Sequence, residues 1–194
     1  RDDAISFAFG GNKVRKLAFI AAQAMADGAD TLLTVGGVQS NHCRATAAVA
    51  TTLGLRCVLI LNGSKPGRVS GNLLLDTLLG AEIHFVPGRE DRAPTMAAFA
   101  ERLRRHGRHP VEIPLGASTS LGALGTALAV GELLDQGVRP DVIVHATSSG
   151  GTQAGLVAGC TLFDLPSRVL GVSADDPVAA IQSEVRSIIE GMGS

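Results

Sequence analysis

Gly10-Gly11-Asn12-Lys13-Val14-Arg15-Lys16-Leu17 opens the first helix of this chain, and the rest of the fold is read outward from it. Val14, Leu17, Ala18, Ala21 and Met25 recur at helical spacing, which predicts a helix over 13–27 stopped by Gly28. Lys13 then sits in the first helical turn, where the helix macrodipole disfavours a cation. Arg15 lies close by, and Lys16 is one turn on. Three cations in one amino-terminal turn stabilise a helix poorly. They fit an anion bound at the helix start, or a lysine kept neutral as a nucleophile; the alternative is a basic, solvated helix start.

Beyond this helix, short apolar runs at 31–35, 57–61, 82–86, 111–113, 141–146 and 168–172 read as strands. Helices are expected between them over 42–53, 72–79, 95–105, 119–135 and 153–162, and a last helical pattern carries Ile181, Val185, Ile188 and Ile189. Strict alternation of the two predicts an α/β protein built on doubly wound, parallel, open sheets. Two strand–glycine-turn–helix units, 36–41 and 148–153, differ from the others in being rich in hydroxyls and amides. Ligands bind at the carboxyl ends of strands in such sheets, so both turns are candidate walls of a site.

Composition narrows the class. Of 194 residues 45% are hydrophobic, which fits a well-buried globular chain. Aromatics make up 3%, Trp and Tyr are absent and Gly numbers 24, so the core is built from small and aliphatic side chains with close helix–sheet approach. Lys+Arg 17 against Asp+Glu 18 gives a net charge of −1 and no electrostatic footprint for nucleic acid. Cys43, Cys57 and Cys160 are odd in number and lack CxxC spacing, which fits reduced thiols packed in a core inside the cell. No apolar run reaches membrane-spanning length and no signal peptide opens the chain; a soluble, cytoplasmic protein is expected. The abrupt Arg1-Asp2-Asp3 start, without Met, reads as an excerpt of a longer protein.

Ser148-Ser149-Gly150-Gly151-Thr152 has the makings of a phosphate cup: glycines that let successive N–H groups point inward, hydroxyls on Ser149 and Thr152, and a helix start behind them. It is neither a Walker A motif nor a dinucleotide fingerprint. A capped turn with no ligand is the alternative. In Gly36-Gly37-Val38-Gln39-Ser40-Asn41-His42, Ser40 and Asn41 are helix caps, or a substrate hydroxyl and an amide for a ring hydroxyl or carboxylate. His42 is equally compatible with core, surface or proton carrier. The histidines form no metal spacing, no Ser-His-Asp set is visible, and acidic residues are not gathered at the glycine turns. A metal hydrolase or glycosidase is therefore not expected. An amine at a helix start, a hydroxyl-rich cup and an asparagine turn together fit pyridoxal 5'-phosphate.

These motifs, with Thr152-Gln153-Ala154-Gly155, Gly71-Asn72-Leu73-Leu74 and Leu121-Gly122-Ala123-Leu124-Gly125, resemble the family of 1-aminocyclopropane-1-carboxylate deaminase and D-cysteine desulfhydrase. These are pyridoxal-phosphate enzymes of the tryptophan-synthase-β-like fold (fold type II), and the resemblance runs from Arg1 to about Ala174. It implies that Lys13 carries the cofactor through a Schiff base and that Asn41 bonds the ring hydroxyl. Ser148, Ser149, Gly150, Gly151 and Thr152, with Lys16, would hold the phosphate, and Ser40 would face the substrate as nucleophile or carboxylate-binding group. It further implies a smaller α/β domain at 29–125 inserted in a larger one made of 1–28 and 126–194, and a homodimer. Ala18 stands where the family usually has Glu, and Gly116-Ala117-Ser118-Thr119 where desulfhydrases read Gly-Gly-Ser-Asn. The family's carboxy-terminal part, which supplies the partner of the pyridine nitrogen, is missing. The implied function is a lyase or deaminase acting on a small amino acid. Ser40-Asn41-His42 leans toward D-cysteine desulfhydrase-like β-elimination to a 2-oxo acid and ammonia, with 1-aminocyclopropane-1-carboxylate deamination as the alternative. From another class, the alternative is a truncated, non-catalytic α/β scaffold or binding protein.

Overall fold

The structure, a computed structural model, describes residues 1–173 and 176–193. Ala174, where the resemblance ends, lies outside the described residues. The chain runs α1 (Asn12–Ala26), β1 (Thr31–Gly37), α2 (Asn41–Leu53), β2 (Arg56–Asn62), α3 (Gly71–Leu78), β3 (Glu82–Val86), α4 (Arg92–Arg105) and β4 (Pro110–Ile113). It continues through α5 (Ser120–Asp135), β5 (Val142–Thr147), α6 (Gly151–Leu162), β6 (Arg168–Ser173) and α7 (Val178–Glu190). Short 3₁₀ turns at Asp2–Ala4, Phe7–Phe9 and Leu115–Ala117 add to the elements that periodicity predicts. They are too short to carry a period of their own.

Four strands form one parallel sheet in the order β3-β2-β1-β4, with Leu33 opposite Val58 and Thr34 opposite Ile113. The continuous apolar run of β1 is explained by its place between β2 and β4, where both faces are covered. Leu32, Leu59 and Leu61 pack with α1, α2 and α3, while Leu33, Val35, Val58 and Ile60 pack on Met96, Ala100 and Leu103 of α4. Helices on both faces are what alternation predicts. β5 and β6 form a second, parallel pair. Its inner face meets Leu156 and Cys160 of α6, while Val144 and Val172 on the other face are 65% and 62% exposed. We propose the division into 29–125 and 1–28 with 126–194; the four-stranded sheet falls in the first part, the β5–β6 pair in the second, and α5 crosses the border.

Helices α1, α5 and α6 approach closely through glycines. A Cβ on Gly125 would overlap the Arg15 carbonyl, and one on Gly155 the Ala123 carbonyl. This is the packing that a glycine-rich chain with few aromatics allows, and it clamps the first turn of α1 onto α5. Two helices start two or three residues earlier than the spacing predicts. α4 begins at Arg92 because Pro94 falls in the first turn, where its missing N–H costs nothing. α6 begins at Gly151 because Gly150, at φ 73°, turns the chain into the helix there. Cys43, Cys57 and Cys160 are free and buried, as expected. Among the described residues, no helix is long and apolar enough to cross a membrane.

Candidate active site

The three cations of the first helix separate by direction. Arg15 is neutralised by carboxylates at the rim of the cleft: its Nε donates to Asp2 Oδ1 at 2.8 Å, and Nη1 and Nη2 to the Glu132 carboxylate at 2.7 and 2.8 Å. Lys16 turns inward, is fully buried, and donates from Nζ to the Gly116 carbonyl at 3.2 Å and Ser118 Oγ at 3.4 Å. Burial first, and the Lys13 charge second, push its amine down to about 7. Burial also lowers the Lys13 amine. Two desolvated amines thus lie one turn apart with no carboxylate partner among the described residues. An anion arriving beside them gains more than it would at a solvated helix start.

A cup faces Lys16. Ser118 Oγ and Ser149 Oγ share a hydrogen bond of 2.7 Å, and Asn12 Nδ2 donates to Thr152 Oγ1 at 2.7 Å, tying the start of α1 to the start of α6. Gly150 caps α6 without a side chain, so the helix-start N–H groups keep no side-chain acceptor. A Cβ on Gly151 would fall 2.6 Å from Ser118 Oγ and 2.8 Å from Lys16 Nζ; one on Gly116 would fall 2.6 Å from Ser149 Oγ and 3.3 Å from Lys13 Nζ. Both glycines keep open the space where the hydroxyls and amines converge. Free N–H groups, three hydroxyls and a buried ammonium form a donor set that suits a phosphate.

The expected residues do not all converge. Ser149, Gly150, Gly151 and Thr152 do. The Ser148 hydroxyl donates away from Lys16, to Asp176 Oδ2 at 3.4 Å. Ser40 caps α2, its Oγ accepting from the Cys43 N–H at 3.2 Å, and its hydroxyl proton stays available. Asn41 Oδ1 accepts from Asn72 Nδ2 at 2.9 Å and Arg44 Nη1 at 3.4 Å. His42 belongs to the core: Thr34 Oγ1 donates to the Ile113 carbonyl at 2.8 Å and so accepts from His42 Nε2 at 2.7 Å. Burial, then the charges of Lys13 and Lys16, drive its imidazole down to about 3, so the ring is neutral near neutral pH and keeps the one proton that Nε2 donates.

Ser118 and Gly116 are site residues that the sequence alone does not single out. They reach Lys16 from a turn a hundred positions away, and the departure from Gly-Gly-Ser-Asn at 116–119 is the signal available. A cleft of about 780 Å³ lies against this region, lined by Asn12, Lys13, Ser149, Gly150 and Thr152 among others, which is room for a cofactor-sized ligand. Among the described residues, no group of three or more His, Cys, Asp or Glu is placed to hold a metal.

The family described as pyridoxal-phosphate dependent enzyme matches residues 2–194. A D-cysteine desulfhydrase of Klebsiella pneumoniae subsp. pneumoniae is 38% identical over 205 residues, covering 98% of this chain and 62% of the relative. The crystal structure of an ACC deaminase homologue superposes with a TM-score of 0.94 at 36% identity, covering 100% of this chain and 60% of the other. A fungal L-serine ammonia-lyase from Rhizomucor miehei, with a TM-score of 0.71 at 20% identity over 94% of this chain and 56% of that one, shares the fold. The chain spans about three fifths of the length of the curated relatives it matches.

Proposed function

The chain belongs to the pyridoxal-phosphate dependent enzymes, and from that premise we propose that it carries the cofactor-binding part of a lyase acting on a small amino acid. The reaction is β-elimination of the D-cysteine desulfhydrase type, in which a β-substituent such as sulfide leaves and a 2-oxo acid and ammonia are formed. The observation that carries the reading is the pairing of two desolvated amines, Lys13 and Lys16, with a hydroxyl-lined cup at the start of α6. The residues fit the family's cofactor.

In this reading Lys13 holds the cofactor's aldehyde carbon, helped by the burial that lowers its amine. Lys16 would meet the phosphate, with Ser149, Gly150, Gly151 and Thr152 around it and Ser118 as a further donor, while the Ser148 hydroxyl stays on Asp176. When bound, pyridoxal phosphate supplies an electron sink for charge developing at the substrate's α-carbon. Asn41, whose Oδ1 is taken by Asn72 and Arg44, would donate from its amide nitrogen to the ring oxygen. Ser40, whose oxygen is fixed by the Cys43 N–H, offers its proton to the substrate carboxylate. The Lys13 amine would also be placed to move the proton at the substrate's α-carbon.

The desulfhydrase direction follows the Ser40-Asn41-His42 sequence and the Klebsiella relative. Ring opening of 1-aminocyclopropane-1-carboxylate is the second reading, favoured by the likeness to the ACC deaminase homologue. The free thiols support a reducing, cytoplasmic setting, and a homodimer follows from the family resemblance. The test is to supply the cofactor with D-cysteine, L-cysteine or 1-aminocyclopropane-1-carboxylate and measure sulfide and 2-oxo acid. The proposal expects sulfide from D-cysteine that Lys13→Ala abolishes. Release of 2-oxo acid from the cyclopropane alone transfers the assignment to the second reading, and turnover that survives Lys13→Ala contradicts both.

A further inference from the structure

Asn72 opens α3, far from the two lysines along the chain, yet its side chain ends on Asn41. Its Nδ2 donates to the Gln39 carbonyl at 2.8 Å and to Asn41 Oδ1 at 2.9 Å, so both protons of the amide are used. Its backbone N–H donates to Gln39 Oε1 at 2.8 Å, while Gln39 Nε2 donates to the Ser70 carbonyl at 3.1 Å. Arg44 Nη1 reaches both asparagines, at 3.4 Å from Asn41 Oδ1 and 3.5 Å from Asn72 Oδ1, and its Nη2 donates to the Gly10 carbonyl at 3.1 Å.

The polarity of this clasp follows from its backbone members. The Gln39 carbonyl only accepts, so Asn72 must turn its NH₂ toward it; flipping the amide would set oxygen against oxygen. The same NH₂ then faces Asn41, which must answer with Oδ1. The Asn41 NH₂ is left pointing away from the clasp as a donor. Gly71 makes the approach possible: at φ 58° it takes a conformation that favours glycine, and a Cβ there would overlap Gln39 Oε1.

We propose that Asn72 is a positioning residue, acting through Asn41 to present an amide donor and never an acceptor to the cofactor's ring oxygen. This rests on the cofactor reading above. A donor favours the ionised form of that oxygen, whereas a flipped Asn41 would favour the protonated form. Gly71-Asn72 thereby has a role at the site, and the turn 36–41 is stapled to the start of α3.

Two measurements separate this inference from the reading on which it rests. The first uses the cofactor-free chain and follows exchange of the Asn72 side-chain amide protons by NMR. Protection of about tenfold or more over free asparagine is expected, with a loss of protection in Asn41→Ala. Exchange at the rate of free asparagine, unchanged in Asn41→Ala, overturns the clasp whatever the chain binds. The second adds pyridoxal phosphate, uses borohydride labelling of Lys13 to report the cofactor reading, and records the visible absorption band. Asn72→Leu and Gly71→Ala should keep the label on Lys13, shift the band, and weaken cofactor retention about tenfold. Gly71→Ala disturbs the clasp from the Gln39 side and keeps the Asn72 amide, so agreement between the two variants separates positioning from loss of one side chain. Wild-type labelling with an unchanged band and retention in both variants overturns the inference and leaves the cofactor reading intact. Absent labelling in the wild type counts against that reading, and the exchange measurement still decides the clasp.

Discussion

Gly151→Ala should damage the cup while leaving the fold standing. The new Cβ would lie 2.6 Å from Ser118 Oγ and 2.8 Å from Lys16 Nζ, where ordinary contact begins near 3.4 Å. Ser118, whose Cα would also lie 2.8 Å from the new Cβ, must therefore recede by about 0.8 Å with its backbone, and Lys16 by about 0.6 Å. Ser118 is already bonded to Ser149 at 2.7 Å, and Lys16 to the Gly116 carbonyl at 3.2 Å, so neither moves without loss. The bond most exposed is the charge-assisted one between Lys16 and a bound phosphate, worth about 1.5–3 kcal/mol. Losing it weakens binding roughly ten- to hundredfold. Alanine meanwhile suits a helix better than glycine by about 1 kcal/mol, which offsets part of the strain in the free protein. The assay is equilibrium titration with pyridoxal phosphate beside thermal melting without ligand. Affinity should fall at least tenfold with the melting temperature within about 4 °C of the parent, the shift that about 1 kcal/mol gives at this size. Unchanged affinity would refute the placement of the phosphate between Gly151, Ser118 and Lys16.

Other changes separate the roles of neighbouring groups. Ser118→Ala should weaken phosphate or cofactor binding up to about tenfold in the same titration, whereas Ser148→Ala, whose hydroxyl faces Asp176, should change it less than about twofold. Lys16→Met should raise the melting temperature at neutral pH, because the fully buried amine is pushed down to about 7 by burial, and should abolish stabilisation by added phosphate. Asp76 is fully buried with neither oxygen partnered among the described residues, and burial raises its carboxyl from 3.8 to about 7 against the opposing Arg44 charge. The folded state therefore holds the proton more tightly than the unfolded one. Its contribution is fully present below pH 3.8 and is lost as pH rises through about 7, and Asp76→Asn should flatten that limb in denaturant melts taken across this range. Gly125→Ala, which drives a Cβ into the Arg15 carbonyl, should cost about 1–3 kcal/mol in the same melts despite the better helix propensity of alanine.

What can be read in advance is what is local. The helix that presents Lys13, the alternation of buried strands and helices, and the Ser40 cap each announce themselves within a few residues, through spacing or a capping side chain. What escapes the sequence depends on direction and on distant partners. Lys13, Arg15 and Lys16 look alike as a run of cations. The carboxylates that pair with Arg15, Asp2 from the turn before α1 and Glu132 from α5, and the cup that receives Lys16 are brought in by tertiary packing. His42 stays open in the sequence for the same reason, since its neutral, buried state depends on Thr34 and on the nearby lysines.

We propose that Lys13, in this pocket, is the amine that takes the cofactor. The direct measurement is to add pyridoxal phosphate, reduce with borohydride and locate the modified peptide by mass spectrometry. One label is expected, on Lys13, lost in Lys13→Ala. Lys16→Met should prevent labelling at low cofactor concentration by removing the phosphate's anchor. Label confined to Lys65, the exposed lysine of the loop after β2, or label on Lys13 that is indifferent to the loss of Lys16, would contradict the assignment of Lys13.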